Sequence, residues 1–526
     1  MSQLQIYTLR PGGRSWLTTR NLRWWTLASG LALGFSFPPY GMTVLAWISL
    51  VPLFLSARFL PPRSAFVNAW FFYLGMFAVA FHWPLFHVRA DTALVSATAW
   101  LAFTMVLAVP VGFSSWVSKR YSGFSSIWLT GLMILLVEFV LRSGPIPMPW
   151  TALGYSQASS GAVVRASFWM GSTGLSTALV IANACLAQGL LLEKRNRIRL
   201  VIASFSVPAL VLALGLAKHS NESAEQKNIA VIQPGYSPDE WSDTHNESRV
   251  QKMIALSDST IQSSSIQIDL VVWPETTLPI INSRSEGHPL MKKLTSWTES
   301  HSVSLLTGAI TTTGESAGFG PPYYNSAILF APGAAPSTRS KNILVPFAES
   351  VPLANLFSFL ERFAVPAGGV AGYLPGGKPS VIASGGIHIG IIICFEIAFP
   401  QYASELKNND SNLFIVLTQS GWWRGSAGYR QQIMYARFRA VEQGRTLVQA
   451  SVDGISGIIT PDAIVHDLTS IRTQATLVHR VSLYSASTFY GKFGDLWNWI
   501  VLGIWLSITL FYGVRQKHIA SSLFAP

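Results

Sequence analysis

The chain has 526 residues, half of them apolar, and only 12% are charged, about half the ~25% usual in a soluble domain. Its mean hydropathy is +0.36, which excludes a disordered chain and argues against a wholly soluble enzyme. The 37 Lys and Arg against 25 Asp and Glu leave a net charge of +12. That excess sits largely in short loops between apolar segments, which points to membrane topology before nucleic acid.

Apolar runs long enough to cross a bilayer, ~20 residues each, are expected at 24–40, 43–58, 65–86, 92–117, 124–141, 165–192, 199–217 and 496–514. The first two are interrupted around Phe37-Pro38-Pro39. No small-residue cleavage site follows the basic N-terminus closely, so the first run reads as a retained anchor. Arg10, Arg14, Arg20 and Arg23 precede it, Arg58 and Arg63 follow the second run, and Lys119 and Arg120 follow the fourth. Lys194, Arg195, Arg197 and Arg199 join the sixth and seventh, and Arg515 and Lys517 follow the last. With eight spans all these cations fall on one side, which the positive-inside rule makes cytoplasmic. The expected organisation is a membrane domain of seven spans over 1–217, an extracytoplasmic domain over 218–495, and a final span and cytoplasmic tail over 496–526. Glu138 and Arg142, four apart, share a helix face and are expected to pair.

From residue 228 the pattern becomes α/β. Residues 228–233, 269–273, 303–310, 325–330, 387–394, 413–418, 446–452 and 455–460 read as strands, and 430–443 as a helix. Their continuous apolar character suggests sheets covered on both faces. Gly and Pro are dense over 314–336 and 364–379, which reads as long connections able to act as lids.

Cys394 ends one apolar strand and is the only cysteine outside the membrane runs, the other being Cys185. No disulfide framework or multi-cysteine metal site is available within the chain. A nucleophilic thiol needs a base or a lowered pKa. Glu275, just past the Pro274 that ends its strand, is a candidate base, and Lys341 a candidate cation for a thiolate or oxyanion. Each is weak alone.

Together, in this order, these residues resemble the nitrilase superfamily, whose members use a Glu–Lys–Cys triad in an αββα sandwich. Trp273-Pro274-Glu275 matches the Glu motif. Lys341, Leu344-Val345-Pro346-Phe347 and Glu349 match the Lys motif. Cys394-Phe395-Glu396 with Phe399-Pro400 matches the Cys motif. With the membrane runs, the chain further resembles the apolipoprotein N-acyltransferase family of bacterial envelopes. Pro149-Trp150 and Gly154-Tyr155-Ser156-Gln157 look like its signature, Phe37-Pro38-Pro39, Trp47 and Pro52-Leu53-Phe54 fit its first hairpin, and Thr488, Tyr490 and Gly494-Asp495 fit the approach to its last span. The sequence departs from the family pattern at Arg339, Ala348, Gln419-Ser420 and Val452-Asp453-Gly454.

The resemblance implies an inner-membrane enzyme with its catalytic domain in the periplasm, no cofactor or metal, and a monomer. It implies a phospholipid acyl donor, a diacylglyceryl apolipoprotein acceptor, and a ping-pong reaction through a Cys394 thioester, with Glu275 as base. Lys341 and the Phe395 backbone N–H would hold the oxyanion. Glu349 would position Lys341 or Glu275, and Glu396 would orient Lys341 or serve the structure. Trp241, Phe357, Phe359, Trp422 and Trp423 are candidates for lipid contact, and equally readable as ordinary core or interfacial aromatics. A membrane-tethered amidase, a diverged acyltransferase paralogue with another acceptor, and a non-catalytic lipoprotein-binding scaffold remain alternatives.

Overall fold

The computed structural model describes residues 19–85, 93–121, 125–144, 146–192, 194–217, 223–236, 246–282, 288–314, 322–353, 372–423, 426–496 and 498–507. The N-terminal half is helical: Thr19–Ser36, Pro62–Ala80, Ala93–Arg120, Ser126–Ser143, Ser167–Gly189 and Lys194–Leu216. Among the described residues, four segments are long and apolar enough to cross a membrane, namely Ser96–Arg120, Ser126–Ser143, Ser167–Gly189 and Lys194–Leu216. The expected run at 43–58 is broken into a 3-10 turn, Thr43–Trp47, and a nine-residue helix, Val51–Phe59, with Pro52 in its first turn. At ~1.5 Å per residue, nine residues reach less than half of a ~30 Å hydrocarbon core. Helices Thr19–Ser36 and Pro62–Ala80 cross so closely that a Cβ on Gly30 would lie 2.0 Å from the Phe72 carbonyl oxygen. Small residues permit this backbone approach where lipid supplies no hydrophobic drive between helices.

The second half is a two-sheet sandwich. The first sheet takes β1 (Ser223–Gln233), β2 (Leu270–Val272), β3 (Leu278–Asn282), β4 (Ser304–Thr312), β5 (Tyr323–Phe330) and β6 (Ser337–Ser340). The second takes β7 (Val381–Ser384), β8 (Ile387–Ile393), β9 (Leu413–Thr418), β10 (Thr446–Ser451), β11 (Gly457–Ile459) and β12 (Val465–His466). β13 (Ala475–Tyr484) returns to the first sheet. The orders among the described residues are β13-β1-β2-β4-β5-β6, with β3 on β4, and β12-β11-β10-β9-β8-β7. The centres are parallel: β1, β2 and β4 in one sheet, β8, β9 and β10 in the other.

The strand period of two explains the layers. Ile389, Ile391 and Ile393 of β8 and Leu413, Ile415 and Leu417 of β9 face Val231, Val272 and Leu306 of the other sheet. The alternate residues, Ile392, Phe414 and Val416, face outward into a second core. That core is closed by helices Pro400–Asn408 and Ala427–Gln443 and runs on into the membrane half. The first sheet's outer face is covered by helices Asn246–Ser263 and Pro289–His301 through Val250, Met253, Leu294 and Trp297.

Helix Ala427–Gln443 joins the halves. Its polar residues Gln431, Gln432, Arg437, Arg439, Glu442 and Gln443 are all buried. Gln431 uses its whole side-chain amide: Oε1 accepts from the Trp83 and Trp150 indoles, each at 2.9 Å, and Nε2 donates to the Pro38 and Ala80 carbonyls. Glu442 accepts the Ser172 backbone N–H at 2.7 Å, where Gly171 at φ 66 breaks helix Ser167–Gly189. Tyr155 stacks on Tyr435 with ring centroids 4.1 Å apart and donates to the Ala398 carbonyl.

The expected Glu138–Arg142 pair is replaced by two other contacts. Arg142 binds Asp495 at 2.8 Å, which ties the last helix to the bundle, and Glu138 accepts the Leu153 N–H at 2.7 Å. Each finds a partner arriving from another element at its own level, so the shared helix face does not decide the pairing.

Candidate active site

The carboxyl ends of parallel strands from both sheets converge on one spot, where the loops of open α/β sheets generally present their ligands. Glu275 follows β2. Its loop lies so tightly on β4 that a Cβ on Gly308 would stand 2.5 Å from the Glu275 Cα and 2.4 Å from the Thr276 nitrogen. Lys341 follows β6, and its N–H continues the ladder to the Asn325 carbonyl of β5 at 2.7 Å. Cys394 follows β8 and opens the 3-10 turn Cys394–Ala398. Its φ of 51 is left-handed, a conformation that costs a non-glycine residue ~1 kcal/mol or more and clusters at functional sites. The cysteine is partly exposed.

The contacts join the sheets. Glu275 accepts the Asn325 amide at 2.7 Å and, across the sandwich, the Gln419 N–H at 2.5 Å. Lys341 Nζ lies 2.8 Å from Glu349 and 3.8 Å from Glu275. The other Glu349 oxygen accepts the Val345 N–H at 2.8 Å. Burial works against the charge on Lys341, but Glu349, Glu275 and Cys394 outweigh it and hold the ammonium above its ordinary value. Burial raises the Glu275 carboxyl above the usual range, against the pull of Lys341. Desolvation, then the Glu275 charge, pushes the Cys394 thiol up to about 12, with Lys341 and a hydrogen bond from Thr418 opposing. The thiol therefore rests neutral, and its deprotonation has to be coupled to attack.

Of the two partners considered for Glu349, the ion pair at 2.8 Å is with Lys341. Glu396 accepts the N–H groups of Asn342, Ile343 and Ile393 at 2.6, 3.2 and 2.8 Å. Arg339 stands 3.7 Å from it and over the Tyr402 ring. Glu396 therefore ties the lysine loop to the cysteine turn, and Arg339, one of the departures noted above, supplies its counter-charge. Phe395 lies parallel to Trp150, ring centroids 6.4 Å apart. Trp423 packs against Trp83, Trp150 and Tyr429. Trp241, Phe357 and Phe359 fall outside the described residues, as does the side chain of Trp422.

The sequence reading passed over Asn325, whose Nδ2 also reaches Glu349 at 3.4 Å, and Thr418 and Gln432 behind the sulfur. Asn325 stands beside Ser326 at the start of the run that ends at Phe330, and no local signal marks it.

Two family models match the chain. The apolipoprotein N-acyltransferase N-terminal domain matches residues 29–185, and the carbon-nitrogen hydrolase domain matches 228–487. An apolipoprotein N-acyltransferase of Geobacter metallireducens is 27% identical, aligned over 90% of this chain and 91% of its own. One from Chlorobaculum tepidum is 27% identical over 93% of this chain and 96% of its own. Among solved structures, Saccharomyces cerevisiae Nit3, of the nitrilase superfamily, is 15% identical over 50% of this chain and 93% of its own, with a TM-score of 0.38. Both halves match in the order in which they stand here, and full-length relatives align across nine-tenths of the sequence: the chain belongs to the apolipoprotein N-acyltransferase family, acyltransferases of the nitrilase superfamily.

Proposed function

We propose that the protein transfers a fatty acyl chain from a membrane phospholipid to the α-amine of the N-terminal diacylglyceryl-cysteine of lipoproteins, through a thioester on Cys394. The observation that carries this reading is the buried Glu275–Lys341–Glu349 cluster beside the Cys394 thiol, next to the aromatic seam between the two halves.

Glu275 takes the thiol proton as the sulfur attacks the ester carbonyl. The developing oxyanion is held by Lys341 and the Phe395 N–H, each such donor being worth ~3 kcal/mol. Glu275 returns the proton to the departing lysophospholipid oxygen. The amine then attacks the thioester, loses a proton to Glu275, and the thiol is restored as the amide forms. Each half-reaction is balanced, so the scheme is ping-pong. Transfer prevails over hydrolysis because the thioester waits beside apolar groups and the bilayer, away from water.

The same reading places 1–217 and 496–526 in the inner membrane and cytoplasm and 218–495 in the periplasm, with the broken run at 43–58 crossing as the turn Thr43–Trp47 and the helix Val51–Phe59 together. It rests on the distribution of cations between the apolar runs. The test is incubation with acyl-labelled phospholipid and a diacylglyceryl peptide bearing a free α-amine. Label in an amide on the peptide, absent when that amine is blocked, is the expected result. Hydrolysis of small amides with no label on the peptide would favour the amidase alternative.

A further inference from the structure

Two buried cations stand at the end of β6. Arg339, within the strand, and Lys341, just beyond it, are two residues apart, so the strand period puts both on one face, and both are buried. Lys341 meets Glu349 and Glu275. Arg339 meets a different buried carboxylate, Glu396, with Nη1 3.7 Å from Oε2. Its Nη2 donates to Asn342 Oδ1 at 2.5 Å, an oxygen that also receives the Tyr402 hydroxyl at 3.3 Å. Among the described residues its Nε and Nη1 find no hydrogen-bond acceptor, so the guanidinium acts on Glu396 through its charge.

Glu396 is where two loops are fastened. Oε1 accepts the N–H groups of Asn342 and Ile343, directly after Lys341. Oε2 accepts the N–H of Ile393, directly before Cys394. All three donors are backbone groups, so the carboxylate fixes the course of both chain segments. The turn it holds carries Cys394 at a left-handed φ and then the Phe395 N–H. A buried carboxylate without a counter-charge takes up a proton, and a carboxylic acid is a poorer acceptor than a carboxylate. The fastening therefore needs a cation, and Arg339 supplies it at a position where the sequence departs from the family pattern.

We propose that Arg339 is a positioning residue for acyl transfer: by balancing the charge of Glu396 it keeps the lysine loop and the cysteine turn fastened to one carboxylate, and with them the two donors, Lys341 Nζ and the Phe395 N–H, that hold the oxyanion. The inference rests on the thioester reading of Cys394. Burial raises the Glu396 carboxyl, and Arg339, the N–H groups of Ile393 and Asn342, and Lys341 oppose it. Of the two cations, Lys341 is already engaged by Glu349 at 2.8 Å. The other titratable groups at the pair are Tyr402, whose ring lies beneath the guanidinium, and Cys394 in the same turn. Without Arg339 the ionised form of Glu396 requires a higher pH, so the loss is pH-dependent, which a packing role would not make it.

The test uses the full-length protein in nanodiscs and two readouts. Infrared difference spectra across pH should show, in Arg339→Met near neutral pH, a protonated buried carboxyl that the wild-type protein lacks and that adding Glu396→Gln removes. The first turnover of a long-chain p-nitrophenyl ester reads acylation of Cys394, with p-nitrophenolate as leaving group. In Arg339→Met its rate should fall about tenfold or more near neutral pH and recover as pH rises, an acid limb displaced upward by about one unit or more. Arg339→Lys should restore the wild-type pH dependence in both readouts, because it keeps the charge. If the methionine variant misfolds, Arg339→Gln carries the same comparison. Rates lowered by one factor at every pH, alike in the lysine and methionine variants, would overturn the proposal, as would a new carboxyl band with acylation unchanged. Ester turnover surviving in Cys394→Ala would instead remove the thioester reading, while the infrared readout follows the Arg339–Glu396 pair without any acyl transfer.

Discussion

Cys394 sits in a left-handed turn at the end of a buried strand, where its sulfur meets a carboxylate and an ammonium whose charges are set by each other. Because Glu275 has its carboxyl raised by burial, its basic form is lost as pH falls through a value above the usual ~4.3 of a free glutamate. The acid limb of acyl-enzyme formation should therefore lie above that value, and Glu275→Gln should abolish the rate across the range. Glu349→Gln should lower acyl transfer by about a hundredfold, because Lys341 loses its 2.8 Å partner and with it the aim of an oxyanion donor worth ~3 kcal/mol. A loss below about threefold in steady-state transfer would count against that role. Asp453 gives a stability test. Burial raises its carboxyl to about 6, so the fold prefers the protonated form. The contribution is present below the unfolded value of ~3.9 and is lost as pH rises through about 6. Asp453→Asn should then raise Tm above that pH and leave it nearly unchanged at pH ~4; equal effects at both would contradict the assignment. Glu275 and Cys394 were legible because each follows an apolar strand within a motif, whereas Lys341 follows the polar strand β6 and stood out by its motif alone. Asn325, Thr418 and Gln432 were not, because nothing local distinguishes a polar residue that serves a site from one that faces solvent.

At the scale of elements, the buried central strands were readable as continuous β-branched runs, and β8, β9 and β10 stand close to where that pattern puts them. β13 escaped because only Val481 and Leu483 of its ten residues are buried; its period-two signal is carried by two side chains. Helix Ala427–Gln443 was recognised as a helix but not as the joint of the molecule. Its buried surface mixes Ile433, Tyr435, Phe438 and Val441 with six polar side chains, and polar helical positions ordinarily mean water. Here the partners are backbone groups and indoles of the membrane half. Gln431→Leu leaves two indole N–H groups and two carbonyls buried without their partner. At ~1–3 kcal/mol for each orphaned group, several kcal/mol of destabilisation should follow even after relaxation. Thermal unfolding in nanodiscs checks this, and an unchanged Tm would show that the joint is held by apolar packing alone.

At the scale of the whole molecule, the two halves share one of its cores, in which the outer face of the second sheet and the membrane helices belong to the same cluster. Residues 218–495 expressed alone should therefore aggregate or expose apolar surface, unlike a free-standing soluble sandwich. The proposed topology is tested with Lys378→Cys, at an exposed position, in a chain with Cys185 and Cys394 changed to Ala. A membrane-impermeant thiol reagent should label it in intact spheroplasts; labelling only after lysis would reverse the orientation. Composition and charge made the two halves legible, but their contact was not, because it is built from Trp83, Trp150 and Tyr155 meeting residues more than 200 positions away. The central claim, an acyl chain carried on one sulfur, is tested most directly by mass spectrometry of the Cys394 peptide after exposure to phospholipid without acceptor. The account predicts a fatty acyl adduct that hydroxylamine removes and that acceptor amine discharges into an amide. An unmodified Cys394 peptide from protein that still acylates lipoprotein would contradict it.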